Sequence, residues 1–256
     1  MKDAFESPQR WDAARYARNA SFVAELGRSL LSWLTVPETA RLLDLGCGDG
    51  ALTAELVQRG HSVVAIDASA SMVEAARARG IDAHVMDGHH ITLPKASFDV
   101  VFSNATLHWL TRPREALEGV FATLKPGGEF VAEMGGHGNT RTVLAAIVAE
   151  LEAHGATGTK SPWYFPTPAE YATELERAGF RVEQLAYFDR PTTLPGDVTQ
   201  WLDMFGGTFL SQMPDERRGA LLDAVRTRLR PTLQQPDGTW VLDYVRLRFR
   251  ARKPLV

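Results

Sequence analysis

Short apolar runs alternate with segments of helical periodicity through the first half of the chain. The runs predict five strands, at residues 41–45, 61–67, 81–87, 97–104 and 129–136. The segments between them carry apolar residues at helical spacing, and glycines such as Gly60 and Gly80 end them. Strict alternation of strand and helix predicts a parallel sheet with helices on both faces. We therefore expect an α/β fold in a single domain that spans residues 1–256.

The second half of the chain is more helical. It predicts two helices, a sixth strand and a last strand, at residues 141–154, 168–178, 181–190 and 239–253. Residues 195–233 are rich in helix formers and carry Trp201, Phe205 and Phe209, so we expect a helical cap inserted before the last strand. Residues 1–36 precede the first strand, and their helical spacing predicts a helical cover.

The last predicted strand has one basic face. Three arginines alternate with three apolar residues along it: Arg246, Arg248 and Arg250 with Val245, Leu247 and Phe249. A basic stripe is compatible with nucleic-acid binding, but 28 Lys+Arg against 31 Asp+Glu give a formal net charge of −3. That balance provides no general attraction to nucleic acid or anionic membrane. We therefore interpret the arginines as the exposed face of an edge strand, and expect neither partner.

Composition places the chain among ordinary globular proteins, with 45% hydrophobic and 23% charged residues. The single cysteine, Cys47, excludes an internal disulfide and fits a reducing compartment. The N-terminal segment is charged throughout and lacks the apolar core of a signal peptide. The longest apolar run, which begins at Val143, is far shorter than the roughly 20 residues of a membrane helix. We expect a cytoplasmic monomer or homodimer.

The stretch LLDLGCGDG, residues 42–50, places three glycines directly after the first strand. Glycine permits positive φ and lets a ligand approach the backbone, and ligands of open parallel sheets bind at the carboxyl ends of strands. Asp44, Asp67 and Asp87 lie near the ends of the first three strands. An acid after the second strand can bond both ribose hydroxyls, and one after the third can accept from the adenine amine. Together they predict an adenosine site.

Two adenosine cofactors are compatible with this turn. Gly46, Gly48 and Ala51 also satisfy the dinucleotide pattern, so an NAD-dependent oxidoreductase is one alternative. However, Asp44 and Asp49 would repel a pyrophosphate and attract the ammonium of an amino acid. S-adenosylmethionine carries that ammonium, a sulfonium and no phosphate, and is therefore favoured. A non-catalytic module that binds this cofactor and regulates a partner is the other alternative.

The motifs LLDLGCGDG, VVAID, VMDG, FDVVFSNATLHWL and LKPGGEFVAE occur in one order and spacing. Over residues 41–133 the sequence thereby resembles the class I S-adenosylmethionine-dependent methyltransferases. FSNATLHWL and PWYFPTPAEYATELERAGF are most similar to bacterial small-molecule methyltransferases related to trans-aconitate 2-methyltransferase. The resemblance implies a Rossmann-like, mostly parallel seven-stranded sheet, with the last strand antiparallel and beside the fifth. It also implies methyl transfer.

The resemblance implies a set of cofactor-binding residues. They are Asp44, Gly46, Gly48, Asp67, Asp87 and Gly88, with Asn104 close to the transferable methyl group. To these we add Tyr16, Cys47, Ala68 and Met72. Tyr16 belongs to the N-terminal cover, which we expect to close over the cofactor or simply to cover the sheet. Cys47 is interpreted as a small packing residue, because no histidine is placed to activate it.

The acceptor is expected to be a small molecule. Candidate pocket residues, each with core packing as its alternative, are Trp109, Trp163, Tyr164, Trp201 and Phe205. Asn104 and His108 are the catalytic candidates, with packing or hydrogen bonding as the alternative for His108. No evident base favours O-methylation of a group that is already nucleophilic, such as a carboxylate, with N- or C-methylation as alternatives. His89 and His90 point apart on an extended chain, so no metal site is expected.

Overall fold

The computed structural model describes residues 11–13, 16, 20–37, 39–156 and 158–255. Seven strands form the main sheet: β1 (Arg41–Leu45), β2 (Ser62–Asp67), β3 (Asp82–Val85), β4 (Phe98–Asn104), β5 (Leu124–Gly135), β6 (Arg181–Asp189) and β9 (Val245–Arg252). Their order is β3-β2-β1-β4-β5-β9-β6, and β9 is antiparallel to both of its neighbours. A two-stranded sheet pairs β7 (Thr192–Thr193) with β8 (Val241–Leu242). This arrangement confirms the predicted fold class.

Burial of the central strands explains their continuous apolar runs. Four of the five residues of β1 are buried, as are five of the seven residues of β4. Strands of a parallel sheet are covered by helices on both faces, so they need apolar side chains on both sides. Strand order reverses between β1 and β4, which places the glycine turn after β1 at the switch point of the sheet.

Six helices flank or follow the strands: α1 (Ser21–Gly27), α2 (Ala51–Gln58), α3 (Ala70–Ala78), α4 (Pro113–Thr123), α5 (Arg141–Ala153) and α6 (Pro168–Arg177). Ser69 is the N-cap of α3, because its side chain accepts from the N–H of Met72. A capping box formed by Thr167 and Glu170 begins α6. Strong local signals therefore explain where these helices start.

Residues between the sixth and last strands fold into three helices. They are α7 (Val198–Phe205), α8 (Gly207–Leu210) and α9 (Asp215–Leu233), which we call the cap helices. Leu221, Val225 and Leu229 of α9 are buried in one apolar cluster with Val143 and Ile147 of α5. The cap helices therefore share a core with α5. Among the described residues, no helix is both long and apolar enough to cross a membrane.

The predicted cover at residues 1–36 is described only in part. Residues 1–10, 14, 15 and 17–19 lie outside the described residues. After α1, a 3-10 helix runs over Arg28–Trp33 and buries Leu30 and Leu31 in the cluster that contains Leu42 and Phe102 of the sheet. This part of the segment covers one face of the sheet.

The interpretation of the last strand as an exposed edge is wrong. β9 lies between β5 and β6, and Arg246 and Arg248 are only 5% and 7% exposed. Arg248 is the register partner of Glu133 on β5, and its guanidinium donates to that carboxylate at 2.5 and 2.8 Å. Arg248 is tolerated inside because a buried acid on the neighbouring strand pairs with it.

Candidate active site

Two glycines of the turn after β1, Gly46 and Gly48, have different structural roles. Gly46 has φ +77°, and a Cβ there would overlap the side chain of Thr106. Gly48 has φ +55°, and a Cβ there would meet nothing within 4 Å. Gly46 is therefore required for close packing, whereas Gly48 leaves its surroundings open for a ligand.

Asp67, at the end of β2, is tied to the glycine turn. Its carboxylate accepts from the N–H of Gly48 at 3.0 Å and from the N–H of Ser69 at 2.8 Å. Burial raises the pKa of Asp67, and the two backbone N–H donors partly oppose that rise. The same side chain thus fixes the turn and faces the space beside it.

Asp44 and Asp49 differ in their availability to a cation. Asp44 is 2% exposed and accepts from the hydroxyl of Thr53 at 2.6 Å. Burial raises the pKa of Asp44 to about 7, against the opposing effect of that hydroxyl. Asp49 instead pairs with Arg79 at 2.8 Å and accepts from the N–H of Ala51. The expectation that both acids attract an ammonium therefore rests mainly on Asp44.

Two cavities adjoin these acids. The first, the strand-end cavity, is open to solvent, contains about 700 Å³ of empty space with that solvent included, and is lined by Trp11, Tyr16, Leu45, Gly46, Gly48, Ile66, Asp67, Ala68, Met72, Met86, Asp87, Gly88, Asn104, Ala105, Thr106, Trp109 and Leu110. The second, the glycine-loop cavity, contains about 380 Å³ on the same basis and is lined by Tyr16, Val23, Ala24, Asp44, Gly46, Cys47, Gly48, Asp49, Ala51, Leu52, Phe102 and Asn104. All eleven predicted cofactor residues line one or both.

Asp87 has a turn role as well as its place in the strand-end cavity. Its Oδ1 accepts from the backbone N–H of His89 and lies 2.9 Å from Nδ1 of the same histidine. The other ring nitrogen of His89 accepts from the N–H of Arg112 at 3.4 Å. In the part of the chain that the structure describes, no cluster of three or more acids, histidines or cysteines could hold a metal ion.

The end of β4 is held in an unusual backbone conformation. Ala105 has φ +56°, a region that non-glycine residues rarely adopt. Asn104 donates through Nδ2 to the carbonyl of Val23 at 3.3 Å, and Thr106 donates to the carbonyl of Gly46. These bonds join the strand end to α1 and to the glycine turn.

A third cavity lies beyond Ala105 and is mostly aromatic. This aromatic cavity contains about 460 Å³ of empty space, open solvent included, and is lined by Trp11, Tyr16, Val23, Ala105, His108, Trp109, Asn139, Thr140, Trp163, Phe165, Trp201, Phe205, Tyr244 and Arg246. Four of the five predicted acceptor residues therefore line one space. Trp109 contacts Trp163 with ring centroids 5.5 Å apart, and Trp201 contacts Phe205 at 5.2 Å.

Tyr164 and Phe209 lie elsewhere. Trp163 and Phe165 line the aromatic cavity, whereas Tyr164 does not line it and lies in an outer groove beside His137. The expected acceptor role of Tyr164 is therefore not supported. Phe209 is 1% exposed and packs on Trp163 within the core of the cap helices.

His108 is buried at the wall of the aromatic cavity. Its Nδ1 accepts from the N–H of Gly135 at 3.3 Å. Burial, together with the positive charge of Arg246, lowers the pKa of His108 to about 3. The ring is therefore neutral at physiological pH and has little capacity to take a proton, so the geometry favours the hydrogen-bonding alternative over the general base.

Arg246 is the residue that the sequence did not reveal as a site residue. Its Nε has no hydrogen-bond partner in the described structure, and it lies 4.0 Å from Oε1 of Glu133. Glu133 is already bonded by Arg190 at 2.5 and 2.8 Å and by Arg248. Three guanidinium groups thus surround one carboxylate, which leaves Arg246 as an incompletely paired cation that faces the aromatic cavity.

Comparison with known proteins decides the family. A family described as "Methyltransferase domain" matches residues 43–132. The chain is 42% identical over 255 residues to an uncharacterized methyltransferase of Schizosaccharomyces pombe. The alignment covers 95% of this chain and 98% of the relative. The chain is a class I S-adenosylmethionine-dependent methyltransferase. The methyltransferase is also 33% identical over 253 residues to trans-aconitate 2-methyltransferase of Rhodococcus jostii, covering 93% and 97% of the two chains.

A solved structure shares the fold of this chain. The YcgJ protein of Bacillus subtilis aligns with a TM-score of 0.62 at 18% identity, over 90% of the methyltransferase and 97% of that chain. The family assignment replaces the NAD-dependent oxidoreductase and the non-catalytic module as alternatives.

The cofactor of the methyltransferase is S-adenosylmethionine, and two features of the cavities match its chemistry. The buried carboxyl group of Asp44 and the half-buried one of Asp67 line the cavities beside Gly48, which suits a cationic ligand better than a phosphate. A Cβ at Gly48 would project into that open space. The residues present therefore fit this cofactor.

Proposed function

We propose that this methyltransferase transfers a methyl group to a carboxylate oxygen of a small organic acid that carries a second carboxylate. When bound, S-adenosylmethionine supplies a methyl group activated by a positively charged sulfur. We assign the adenosine part to the strand-end cavity, with Asp67 as acceptor for ribose hydroxyls and Asp87 near the adenine. The amino-acid part is assigned to the glycine-loop cavity, with Asp44 as its acid. Asn104 lies at the boundary, because it lines both cavities.

The observation that carries the acceptor assignment is Arg246. A buried guanidinium without a full set of partners is costly, and a ligand anion in the aromatic cavity would complete its pairing. Most of the other residues that line the cavity are aromatic, and Asn139, Thr140 and Tyr244 add polar groups to the lining. Such a lining favours a small acid over a neutral or cationic acceptor.

The charge balance of the reaction supports a second carboxylate. A carboxylate loses its negative charge as it becomes a methyl ester, so a guanidinium paired with that group would stabilise the ground state more than the transition state. Arg246 is better matched to a carboxylate that does not react, because that interaction is equal in both states. The relative from Rhodococcus jostii is named for trans-aconitate, which carries three carboxylates.

The state of His108 is consistent with this acceptor. A carboxylate is already deprotonated at neutral pH and needs no general base, and His108 is not suited to be one. The chain's own contribution is then to align the acceptor and exclude water. Alignment alone accounts for up to roughly 7–11 kcal/mol of barrier reduction in favourable cases.

The test is a panel of acceptors incubated with S-adenosylmethionine and followed by mass spectrometry of the products. The panel contains trans-aconitate, other di- and tricarboxylates, matched monocarboxylates, phenols and amines. We expect kcat/KM for the best polycarboxylate to exceed that of its monocarboxylate analogue by about 10- to 150-fold, as a lost charged hydrogen bond predicts. Faster methylation of amines, phenols or monocarboxylates would contradict the proposal.

A variant series locates the second carboxylate. Arg246→Met should raise the acceptor KM by a similar factor with little change in kcat, and Arg246→Lys should recover part of the loss. Arg250→Met is the matched control, since Arg250 lies on the same strand, pairs with Glu183 and lines none of the three cavities. A rise in kcat together with the rise in KM would place Arg246 on the reacting carboxylate instead, because the lost interaction would then have stabilised the ground state more than the transition state.

A further inference from the structure

Tyr16 occupies a position shared by both halves of the site. Among the described residues, it is the one that lines the strand-end cavity, the glycine-loop cavity and the aromatic cavity alike. Tyr16 is therefore part of the partition between the space assigned to the cofactor and the space assigned to the acceptor, to which Trp11, Ala105 and Trp109 also belong. A residue in that position contacts ligands on both sides when both spaces are filled.

The short segment around Tyr16 is attached on both sides of this partition. On the cofactor side, the N–H of Ala13 donates to the hydroxyl of Ser71 in α3 at 3.1 Å. On the acceptor side, the ring of Trp11 contacts Trp109 at 5.1 Å and Phe205 of the cap helices at 5.9 Å. Trp11 also meets Tyr16 edge-on at 5.9 Å, so the two aromatic residues of the segment support each other.

Charges of opposite sign act on the Tyr16 hydroxyl. Burial raises the pKa of Tyr16 well above its usual range, the nearby carboxylates of Asp49 and Asp67 raise it further, and Arg246 acts in the opposite direction. The hydroxyl is therefore protonated at every physiological pH and remains available as a hydrogen-bond donor. Acids lie on the cofactor side of this donor, and the cation Arg246 lies on the acceptor side.

We propose that Tyr16 binds the acceptor directly and couples the two sites: its ring packs against the bound cofactor, and its hydroxyl donates to a carboxylate of the acceptor. This inference rests on the proposed function for the chemical class of the acceptor. A filled cofactor site holds the ring in place, so the hydroxyl is positioned before the acceptor enters. Bound S-adenosylhomocysteine should then raise the affinity for the acceptor, and the acceptor should raise the affinity for S-adenosylhomocysteine by the same factor.

The experiment measures this coupling by calorimetry with trans-aconitate as the probe acid, in the presence and absence of S-adenosylhomocysteine. For the unmodified chain we expect an affinity ratio between about 5 and 150. Tyr16→Phe keeps the ring, so its affinity for S-adenosylhomocysteine should stay within about twofold, while the acid binds its product complex about tenfold more weakly. Tyr16→Leu removes ring and hydroxyl, so the ratio should fall towards one.

Tyr187→Phe is the matched control. Tyr187 is 44% exposed, donates to the carbonyl of His137 and lines none of the three cavities, so its variant should bind both ligands normally. If Tyr16→Phe binds the acid normally, the hydroxyl does not donate to the acceptor. If the affinity ratio of Tyr16→Leu equals that of the unmodified chain, Tyr16 does not couple the two sites.

Failure of the acid assignment is distinguishable from failure of this inference. If the unmodified chain binds and methylates no acid, the proposed function fails, and the same comparison is made with the phenol or amine of the panel that is methylated. One measurement needs no acceptor. Tyr16→Leu must bind S-adenosylhomocysteine at least about tenfold more weakly than the unmodified chain, because the substitution removes part of the wall of the cofactor site. Unchanged binding in that arm overturns the inference for any acceptor.

Discussion

The backbone N–H of Gly135 donates a hydrogen bond to Nδ1 of His108 at 3.3 Å. The neutral ring must then carry its proton on Nε2, which makes His108 a donor towards its surroundings and not an acceptor of protons. Burial of the ring and the charge of Arg246 both disfavour the imidazolium. His108 is thus a neutral, polar residue in the wall of the aromatic cavity.

This state of His108 predicts a specific pH dependence of stability. Its pKa is about 3 in the folded chain and 6.5 as an ordinary value, so the unfolded state gains a proton first as pH falls. The stability contributed by the neutral ring is complete above pH 6.5 and is lost between 6.5 and about 3. From pH 7 to pH 5 the unmodified chain should lose about 2 kcal/mol more unfolding free energy than His108→Gln.

The measurement is urea unfolding of both proteins at the two pH values. The comparison must be a difference between variants, because the buried Asp44, whose pKa is raised, gives the opposite slope over this range. Equal losses in the two proteins would show that His108 is protonated in the folded state, which would restore it as a candidate base.

Asp44 predicts that cofactor affinity depends on pH. Its pKa of about 7 means that half of the empty sites carry a neutral acid at that pH, whereas an ammonium ligand favours the carboxylate. The affinity for S-adenosylhomocysteine should therefore strengthen about tenfold from pH 6 to pH 8, by proton linkage. Calorimetry in matched buffers measures this change. Asp44→Asn should bind more weakly and lose the pH dependence; a variant that retains it would move the titrating group elsewhere.

Gly48 and Gly80 provide a matched pair for testing the turn. Both have positive φ, +55° and +81°, and a Cβ at either position would meet nothing within 4 Å. Alanine at each should therefore cost a similar backbone strain of about 1–2 kcal/mol in unfolding free energy. Only Gly48 lines a cavity, so Gly48→Ala alone should weaken S-adenosylhomocysteine binding, by about tenfold or more. Equal affinities in the two variants would mean that the turn is not the cofactor cradle.

The cofactor side of the site could be predicted because its residues come at the ends of strands. Asp44, Asp67 and Asp87 each follow an apolar run, and the carboxyl ends of parallel strands meet at one edge of the sheet. Their position in space thus follows from their position in the sequence. The hydrogen bonds that these acids make within the protein could not be predicted. Those of Asp67 with Gly48 and Ser69, for example, depend on the conformation of the folded loop.

The acceptor side depends on tertiary packing and was predicted less well. The alternation of arginines in β9 indicated a basic face, but alternation alone does not reveal what covers that face. Glu133 of β5 supplies the missing partner, and its own sequence context gives no sign of this. The same limit explains why Tyr164 was expected in the pocket, because tertiary contacts, such as those of Trp163 with Trp201 and Phe209 of the cap helices, decide which residues line the cavity.

Trp201 tests whether the aromatic cavity is the acceptor pocket. It lines that cavity and neither of the others, and its Nε1 donates to the hydroxyl of Tyr244 at 2.6 Å. Trp201→Leu removes apolar contact on the order of 50 Å², which corresponds to about a tenfold rise in the acceptor KM. Affinity for S-adenosylhomocysteine should stay within about twofold, because no contact on the cofactor side is lost.

The control for Trp201 is Trp240→Leu. Trp240 is 2% exposed in the same apolar cluster as Trp201 but lines none of the three cavities. Both substitutions should lower the unfolding free energy by a few kcal/mol, roughly as large-to-small core changes do, so a general loss of stability affects them alike. Steady-state kinetics with the best acid of the panel then isolates the pocket, since only Trp201→Leu should change the acceptor KM. A cofactor defect as large as the acceptor defect, or an equal KM change in Trp240→Leu, would place the acceptor outside this cavity.

Faster methyl transfer to a protein or a nucleic acid than to every small molecule would also place the acceptor outside this cavity, because a cavity of this size admits neither.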